Sequence, residues 1–218
     1  MPVNKIAYKK LIVELNAKDV TLVAVSKTRS VEEIQELYDL GQRDFGENYV
    51  QEMKEKHALL PPDIRWHFIG HLQRNKVKNI IPFVHLIQSV DSLKLLDEIN
   101  KQAEKHNRTV DCLLQVHIAR EETKFGFDKE ELSELMISNN GIMQQFQNVK
   151  IKGLMGMATL TNDMSTLRSE FSYLKTIFKK MFNKTSILSF GMTADYKIAI
   201  EEGSNMVRIG SLIFGERN

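Results

Sequence analysis

The sequence predicts an α/β fold, a single (β/α)8 barrel of the TIM type that spans residues 1–218 as one domain. Short apolar runs alternate with longer amphipathic segments, as strands and helices do in a parallel α/β fold. The runs are apolar throughout, as in strands that are buried on both faces. There are eight of these runs, the number of strands in a closed barrel. An open doubly wound sheet is the alternative, which the number of strands disfavours. Such barrels usually have ~250 residues. In 218 residues we therefore expect the last helix to be very short or absent.

The individual elements follow from the positions of apolar, glycine and proline residues. An N-terminal helix is predicted because Ile6, Leu11, Ile12 and Leu15 fall on one helical face, and it would cover part of the gap left by a short last helix. Glycine or proline ends several later helices, as at Gly41. In chain order we expect helix 4–17, strand 21–25, helix 31–40, strand 44–46, helix 49–60, strand 65–69, a helix after residue 70, strand 84–88, helix 92–106, strand 110–118, helix 129–139, strand 151–155, helix 166–182, strand 186–188, helix 194–202 and strand 206–209.

Composition excludes several classes of protein. The 30 Lys and Arg residues against 28 Asp and Glu leave a net charge of +2, too small to indicate nucleic acid or a membrane as the main partner. The single cysteine, Cys112, lies in an apolar run, so we expect a buried thiol and a reducing compartment. We find no signal peptide and no run near the roughly 20 apolar residues of a membrane helix, so we expect a cytoplasmic protein. Gly70 separates His67 from His71 at a strand end, and we expect no metal site.

Lys27 directly follows the first predicted strand, at the end where such barrels place their active sites. A solvated lysine at a strand end is the common alternative. A lysine amine that is partly shielded from water loses its proton more readily, and it can then attack a carbonyl to form a Schiff base. The position of Lys27 therefore makes it a candidate for covalent chemistry.

Loops with glycine and hydroxyl residues follow the last two predicted strands. They are 189–193 after strand seven, with Ser189, Gly191 and Thr193, and the pair Gly210-Ser211 after strand eight. Loops at these two strands often form the phosphate site of a barrel, because glycine lets backbone N–H groups approach the phosphate closely. Ordinary turns and helix caps are the alternative. Arg208, in the apolar last strand, needs either a structural ion pair or a bound ligand.

Motifs in a specific order and spacing surround these strand ends. They are Ala24-Val25-Ser26-Lys27-Thr28, Phe45-Gly46-Glu47-Asn48-Tyr49-Val50-Gln51, Trp66-His67-Phe68-Ile69-Gly70, Leu72-Gln73-Arg74-Asn75-Lys76, Gln88-Ser89-Val90-Asp91-Ser92, Thr123-Lys124-Phe125-Gly126-Phe127, Gly153-Leu154-Met155, Leu188-Ser189-Phe190-Gly191-Met192-Thr193-Ala194-Asp195 and Val207-Arg208-Ile209-Gly210. With these motifs the sequence resembles the YggS/PROSC family, the pyridoxal phosphate homeostasis proteins. The resemblance covers nearly the whole chain.

The resemblance implies a fold-type III barrel like the N-terminal domain of alanine racemase. It implies that Lys27 carries pyridoxal 5′-phosphate as an internal aldimine and that Arg208 faces the pyridine nitrogen. His117 stands where the family usually has asparagine, and His71 where proline is frequent. These two differences affect the detailed structure of the barrel's mouth, the end at which the strands finish. The other implied cofactor contacts are Ser189, Gly191, Met192, Thr193, Gly210 and Ser211 at the phosphate, Asn48, Gly70, Ser89 and Met157 along the ring, and Ile209.

For function, the resemblance favours a non-catalytic protein that buffers pyridoxal phosphate or delivers it to apo-enzymes through transient contacts. We expect a monomer, because the sequence shows no seam of exposed apolar residues. An arginine opposite the pyridine nitrogen disfavours its protonation, which makes the ring a poorer electron sink. Alanine racemase also takes a tyrosine base from a C-terminal β domain, which we do not expect here. The alternatives are a small pyridoxal-phosphate-dependent amino-acid racemase with His67 or Tyr49 as base, and an aldolase-like barrel that uses Lys27 without a cofactor.

Overall fold

The computed structural model describes residues 3–121, 125–128, 130–132, 134, 146–183 and 185–216. Its strands, β1 to β8 in chain order, form a closed barrel in which each strand pairs with the next and β8 returns to β1. All of these pairings are parallel, and Leu22 of β1 lies opposite Val207 of β8 at the closing seam. The predicted (β/α)8 barrel is therefore confirmed.

The bounds of the elements agree with the predicted ones to within two residues wherever both can be compared. The strands are β1 Thr21–Val25, β2 Asp44–Glu47, β3 Arg65–Phe68, β4 Leu86–Val90, β5 Val110–Val116, β6 Val149–Gly156, β7 Ile187–Ser189 and β8 Met206–Ile209. The helices are α1 Lys5–Asn16, α2 Val31–Asp39, α3 Val50–Leu59, α4 Leu93–Lys105, α5 Met164–Met181, α6 Tyr196–Glu201 and α7 Ser211–Phe214, with a 3₁₀ helix at Arg74–Asn79. The predicted helix 129–139 lies largely outside the described residues.

Two local predictions were wrong. The fourth strand was expected at 84–88 with Gln88 and Ser89 at its end, but both residues lie inside Leu86–Val90. The reason is a turn before the strand, in which Val84 N–H donates to the Ile80 carbonyl at 2.8 Å. The helix expected after Gly70 is only a short 3₁₀ helix, because its six residues include one buried apolar side chain and no side-chain cap.

The barrel has two packed layers. Val23, Leu86, Leu113, Met155 and Met206 fill its interior as one cluster. The alternate residues of the strands point outward and pack against the helices in a second, larger cluster. Side chains on successive strand positions alternate between these layers, as parallel strands covered on both faces require. The mouth of the barrel is therefore backed by a filled interior.

The N-terminal helix lies beside the last helix, as expected. Asn4 caps α1 by accepting from Ala7 N–H at 3.0 Å, and its own N–H donates to the Ile213 carbonyl at 2.8 Å. Tyr8 and Leu11 on the inner face of α1 are buried. The last helix spans only Ser211–Phe214, which confirms the prediction that it is very short. Among the described residues, every helix is too short or too polar to cross a membrane.

Candidate functional site

The residues predicted from the sequence to bind a cofactor lie at or near the carboxyl ends of the strands. Lys27 follows β1, Asn48 follows β2 and Gly70 follows β3. The rest are Ser89 in β4, Met157 after β6, Ser189 at the end of β7 with Gly191, Met192 and Thr193 after it, and Arg208 and Ile209 in β8 with Gly210 and Ser211 after it. Parallel strands bring these ends to one face of the barrel, where such folds place their active sites.

One cavity at this face collects many of the predicted residues. It has a volume of about 270 Å³, near the roughly 300 Å³ lower end of small-molecule sites. Its predicted members are Lys27, Met192, Thr193, Arg208, Gly210 and Ser211. Sequence reasoning missed Val25, Arg29, Ala194 and Gly215, which complete the wall. Arg29 stands two residues after Lys27 in the same loop, and this proximity was the available signal.

The loop that carries Lys27 is held on both sides of the lysine. Before it, Ser26 N–H donates to the Gly46 carbonyl at 3.0 Å, and Ser26 Oγ donates to Glu47 Oε1 at 2.6 Å. After it, Thr28 N–H donates to Glu52 Oε1 at 2.5 Å. Thr28 has a φ of 64°, a left-handed conformation that costs energy for a β-branched residue. These contacts hold the backbone on both sides of Lys27.

Behind this loop lies a buried cluster of charges. Lys56 Nζ of α3 contacts Glu47 Oε1 at 2.8 Å, Glu52 Oε1 at 2.6 Å and the Ser26 carbonyl at 2.7 Å. Burial raises the pKa of the Glu47 carboxyl, and the Lys56 charge opposes that effect. The second Glu47 oxygen is buried and has no hydrogen-bond partner among the described residues. The cluster ties α3 to the lysine loop.

The loop after β7 turns sharply at Gly191 and is held by a hydrogen bond to Asp195. Gly191 has a φ of 98°, and an added Cβ would lie 2.5 Å from the Ala199 side chain. Met192 N–H donates to Asp195 Oδ1 at 2.5 Å, which fixes the turn. Burial raises the pKa of Asp195, against the Met192 hydrogen bond and the Arg208 charge. In the described part of the chain, the N–H groups and hydroxyls of Thr193 and Ser211 make no hydrogen bond.

Arg208 is buried in the mouth wall and bonds only to neutral groups among the described residues. Its Nη1 donates to Ser189 Oγ at 2.7 Å and to the Ser189 carbonyl at 3.0 Å. Its Nη2 donates to the Gly156 carbonyl at 2.9 Å. Burial lowers the pKa of the guanidinium to about 10, with the Asp195 charge opposing. Arg208 therefore stays protonated at neutral pH and places a positive charge at the cavity.

A second cavity of about 420 Å³ at the same face is lined by Asn48 and Gly70. Gly70 is required there because a Cβ on it would lie 2.3 Å from the Asn48 carbonyl oxygen. Ser89 Oγ donates to the Gly70 carbonyl at 2.5 Å, so the serine supports this backbone from below. The Asn48 side-chain oxygen is buried without a hydrogen-bond partner among the described residues, which leaves an acceptor at the mouth.

Besides Ser89, three predicted side chains line neither of these two cavities. Ser189 Oγ is buried and donates to Gln88 Oε1 at 2.7 Å. Ile209 is fully buried in the outer layer against the helices. Met157 is partly buried against the interior cluster.

The two histidines that depart from the family pattern lie at the mouth. His71 Nδ1 is 3.0 Å from Asp91 Oδ2, and the His71 ring stacks on Phe125 with ring centroids 3.9 Å apart. His117 Nε2 is 2.9 Å from the Glu121 carbonyl oxygen. Both histidines therefore help to order the rim.

At the opposite end of the barrel the structure brings together Asp44, His67 and His85, with one ligand atom of each within 4.8 Å of the others. No spacing in the sequence signals this group, since Asp44 and His67 lie in different strands and His85 precedes a third. The Asp44 carboxylate already accepts from Arg65 Nε at 2.7 Å and Nη2 at 2.5 Å. A guanidinium in that position competes with a metal ion, so we interpret the group as part of a hydrogen-bonded network.

Comparison with known proteins adds a family to this geometry. The family model described as the alanine racemase N-terminal domain matches residues 7–218. The pyridoxal phosphate homeostasis protein of Aquifex aeolicus is 41% identical over 201 residues, which are 90% of this chain and 86% of that protein. The human protein of the same name is 37% identical over 221 residues, with 94% of this chain and 79% of the human chain covered.

A solved structure has the same fold with a ligand. PipY of Synechococcus elongatus, with PLP bound, superposes with a TM-score of 0.84 at 32% sequence identity. The match covers 97% of this chain and all of the PipY chain (100%). The likeness therefore extends over the whole barrel, including the strand ends that carry the candidate site.

Proposed function

Because this chain belongs to the family of pyridoxal phosphate homeostasis proteins, which share the alanine racemase N-terminal domain, we propose that it binds pyridoxal 5′-phosphate through Lys27. Its role is to buffer or deliver this cofactor inside the cell. The observation that carries the proposal is that Lys27 and the loops after β7 and β8 line one cavity.

The residues present fit the two ends of such a cofactor. Thr193 and Ser211 offer N–H and hydroxyl donors that no described residue engages, and glycine precedes Ser211 in its loop. Donors of this kind suit a phosphate ester. The unpartnered side-chain oxygen of Asn48 suits a donor on the ring. We assign Gly191, Met192 and Gly210 to the phosphate loops, and Gly70, Ser89 and Met157 to the support of the ring.

When bound, the cofactor would supply an aldehyde able to condense with an amine, and a ring able to withdraw electrons. The Lys27 loop contributes the amine, and its anchors at Ser26 and Thr28 keep the amine in the cavity wall. Arg208 places a permanent positive charge in the same wall. That charge disfavours a second positive charge on a nearby pyridine nitrogen. Storage of the cofactor is thus better supported than catalysis of carbanion chemistry.

The protein would act as a monomer in the cytoplasm. It would deliver the cofactor to apo-enzymes through transient contacts. The mouth is an open surface of the barrel, and a brief contact there would suffice. Sedimentation should give the mass of one chain at all concentrations. A concentration-independent mass of two chains would exclude the monomer.

The absorption spectrum of the purified protein with added pyridoxal phosphate tests the central proposal. We expect a visible band that borohydride bleaches, with the cofactor then fixed to the peptide that contains Lys27. Lys27→Ala should lose the band. The matched control is Lys197→Ala, an exposed lysine beside the loop after β7, which should keep it.

Three results would overturn parts of the proposal. Equal cofactor retention after borohydride in wild type and Lys27→Ala would remove Lys27 as the attachment site. No band with excess cofactor would favour a barrel that uses Lys27 without a cofactor. Rapid racemisation of an amino acid by the loaded protein would replace the carrier with the racemase.

A further inference from the structure

A continuous chain of buried side chains runs through the barrel from Arg208 at the mouth to the opposite end. Arg208 Nη1 is 2.7 Å from Ser189 Oγ, and Ser189 Oγ is 2.7 Å from Gln88 Oε1. Gln88 Nε2 is 3.0 Å from His67 Nδ1, and His67 Nε2 is 3.0 Å from Asp44 Oδ1. All five side chains belong to strands and are buried.

The donor and acceptor of each hydrogen bond in this chain follow from Asp44, its last residue. Burial of Asp44 raises its pKa, but the hydrogen bonds from Arg65 and His67, together with the Arg65 charge, outweigh this and hold the pKa well below its usual range. The carboxylate is therefore ionised and can only accept, so His67 Nε2 carries the proton. The Gln88 NH2 group faces His67 Nδ1 and also donates to Met206 Sδ at 3.3 Å, so Nδ1 is the acceptor in this link.

With its NH2 group used in this way, Gln88 turns its carbonyl toward Ser189. The Ser189 hydroxyl donates to that carbonyl, and its lone pair faces the Arg208 guanidinium. Had the amide been reversed, Gln88 would donate to Ser189 and the hydroxyl proton would lose its acceptor. A buried polar group without a partner is costly, so the orientation of one amide decides how well Arg208 is held.

We propose that Gln88 is a positioning residue for Arg208 and that Asp44, acting through His67, sets the orientation of its amide. The chain is a one-way series of donors that ends on the carboxylate at the far end of the barrel. Through this chain the Ser189 hydroxyl is oriented as an acceptor for Arg208. The other acceptors of Arg208 are the backbone carbonyls of Ser189 and Gly156. The consequence for the cofactor, a constant charge beside its ring, rests on the function proposed above. The polarity of the chain does not.

The first test uses the cofactor-free protein. Nitrogen-15 NMR of the six histidines, with His67 assigned through a His67→Gln variant, should show His67 neutral and protonated on Nε2 alone. In Gln88→Met this tautomer should persist, since Asp44 still holds it. In the same variant the guanidinium protons of Arg208 should exchange with solvent on the order of tenfold faster, as expected for one weakened hydrogen bond to a charged group.

The matched control is Gln42→Met. Gln42 is also a buried glutamine, which donates to the Leu22 and Asp44 carbonyls at 2.9 and 2.7 Å at the far end of the barrel. It makes the same chemical change without a link to Ser189. Both variants should be less stable than wild type, but only Gln88→Met should speed exchange at Arg208.

A third variant distinguishes the loss of the hydrogen bond to Ser189 from a change in packing at residue 88. Gln88→Glu keeps an acceptor toward Ser189 and forces a second proton onto His67, because a carboxylate then faces Nδ1. We expect a doubly protonated His67 and an exchange rate at Arg208 near that of wild type. With added pyridoxal phosphate, Gln88→Met should shift the visible band, while Gln88→Glu and Gln42→Met should not.

Protonation of His67 on Nδ1 in wild type, or equal exchange rates at Arg208 in Gln88→Met and Gln42→Met, would overturn the proposal. Failure of the protein to bind pyridoxal phosphate would remove the proposed function alone, because tautomer and exchange are measured without the cofactor.

Discussion

Arg208 of β8 is joined twice to Ser189 of β7, through the serine hydroxyl at 2.7 Å and its carbonyl at 3.0 Å. The two strands share a single pair of opposed residues, Ser189 and Met206, so backbone pairing between them is sparse. The guanidinium therefore supplements the sheet at this seam as well as charging the cavity. Its third bond, to Gly156 at 2.9 Å, extends the tie to β6.

This double role predicts that Arg208→Lys lowers the free energy of unfolding by about 2 kcal/mol, because an ammonium cannot reach both strands as a planar fork does. Urea denaturation measures the change. The control is Arg168→Lys, an exposed arginine that pairs with Glu201 and Glu202. Its effect should stay within about 0.5 kcal/mol, and an equal loss in the two variants would contradict the structural role of Arg208.

The buried charge cluster predicts a double-mutant result. Lys56→Met leaves the Glu47 carboxylate buried without its cation and should cost about 3–5 kcal/mol of stability. Adding Glu47→Gln to this variant removes the unpaired charge and should restore most of the loss. Lys54→Met, an exposed position on the same helix, serves as the control and should change little. If the two losses simply add, Lys56 and Glu47 are not coupled as their 2.8 Å contact indicates.

Stability should depend on pH with opposite signs at Asp44 and Glu47. The folded-state pKa of Asp44 lies below its usual value of 3.8, so its contribution is present above pH 3.8 and is lost as pH falls below it. Burial raises the pKa of Glu47 above 4.5, so ionising it costs stability as pH rises through that raised value.

Urea denaturation of wild type, Asp44→Asn and Glu47→Gln across pH 2–7 checks these signs. The deficit of Asp44→Asn should be constant at neutral pH and shrink in acid. Glu47→Gln should flatten the fall in stability between mildly acidic and neutral pH. A deficit of Asp44→Asn that grows in acid would contradict the ion pair with Arg65.

Alanine substitutions at two glycines with positive φ distinguish the cost of backbone strain alone from the cost of strain with a steric clash. Gly41 has a φ of 101° with no atom within 4 Å of an added Cβ, so Gly41→Ala should cost about 1 kcal/mol. Gly153 has a φ of 153° in β6, and its Cβ would lie 1.8 Å from the Ile187 carbonyl oxygen. Gly153→Ala should therefore destabilise the barrel several times more. The melting temperatures of both variants test this difference. Similar melting temperatures would show that β6 and β7 can separate locally.

Much of the fold and of the site could be predicted from the sequence. Apolar runs and turn residues are local signals, and they placed the strands to within two residues. The strand-end rule placed Lys27 and the loops after β7 and β8 at one face, because parallel strands share their carboxyl ends. The fourth strand was shifted because the turn before it depends on Val84 and Ile80, whose apolar side chains read equally well as strand.

The sequence by itself determined the parallel barrel, the lysine at its mouth and the family to which the chain belongs, since each rests on residue order and spacing. Only the tertiary structure decided which side chains meet inside the barrel. Arg208, Ser189, Gln88, His67 and Asp44 lie far apart in the chain and become neighbours because alternate residues of different strands point to a common axis. Hydrogen bonds between such residues depend on how the strands are arranged around the closed barrel, and that arrangement joins segments distant in the chain.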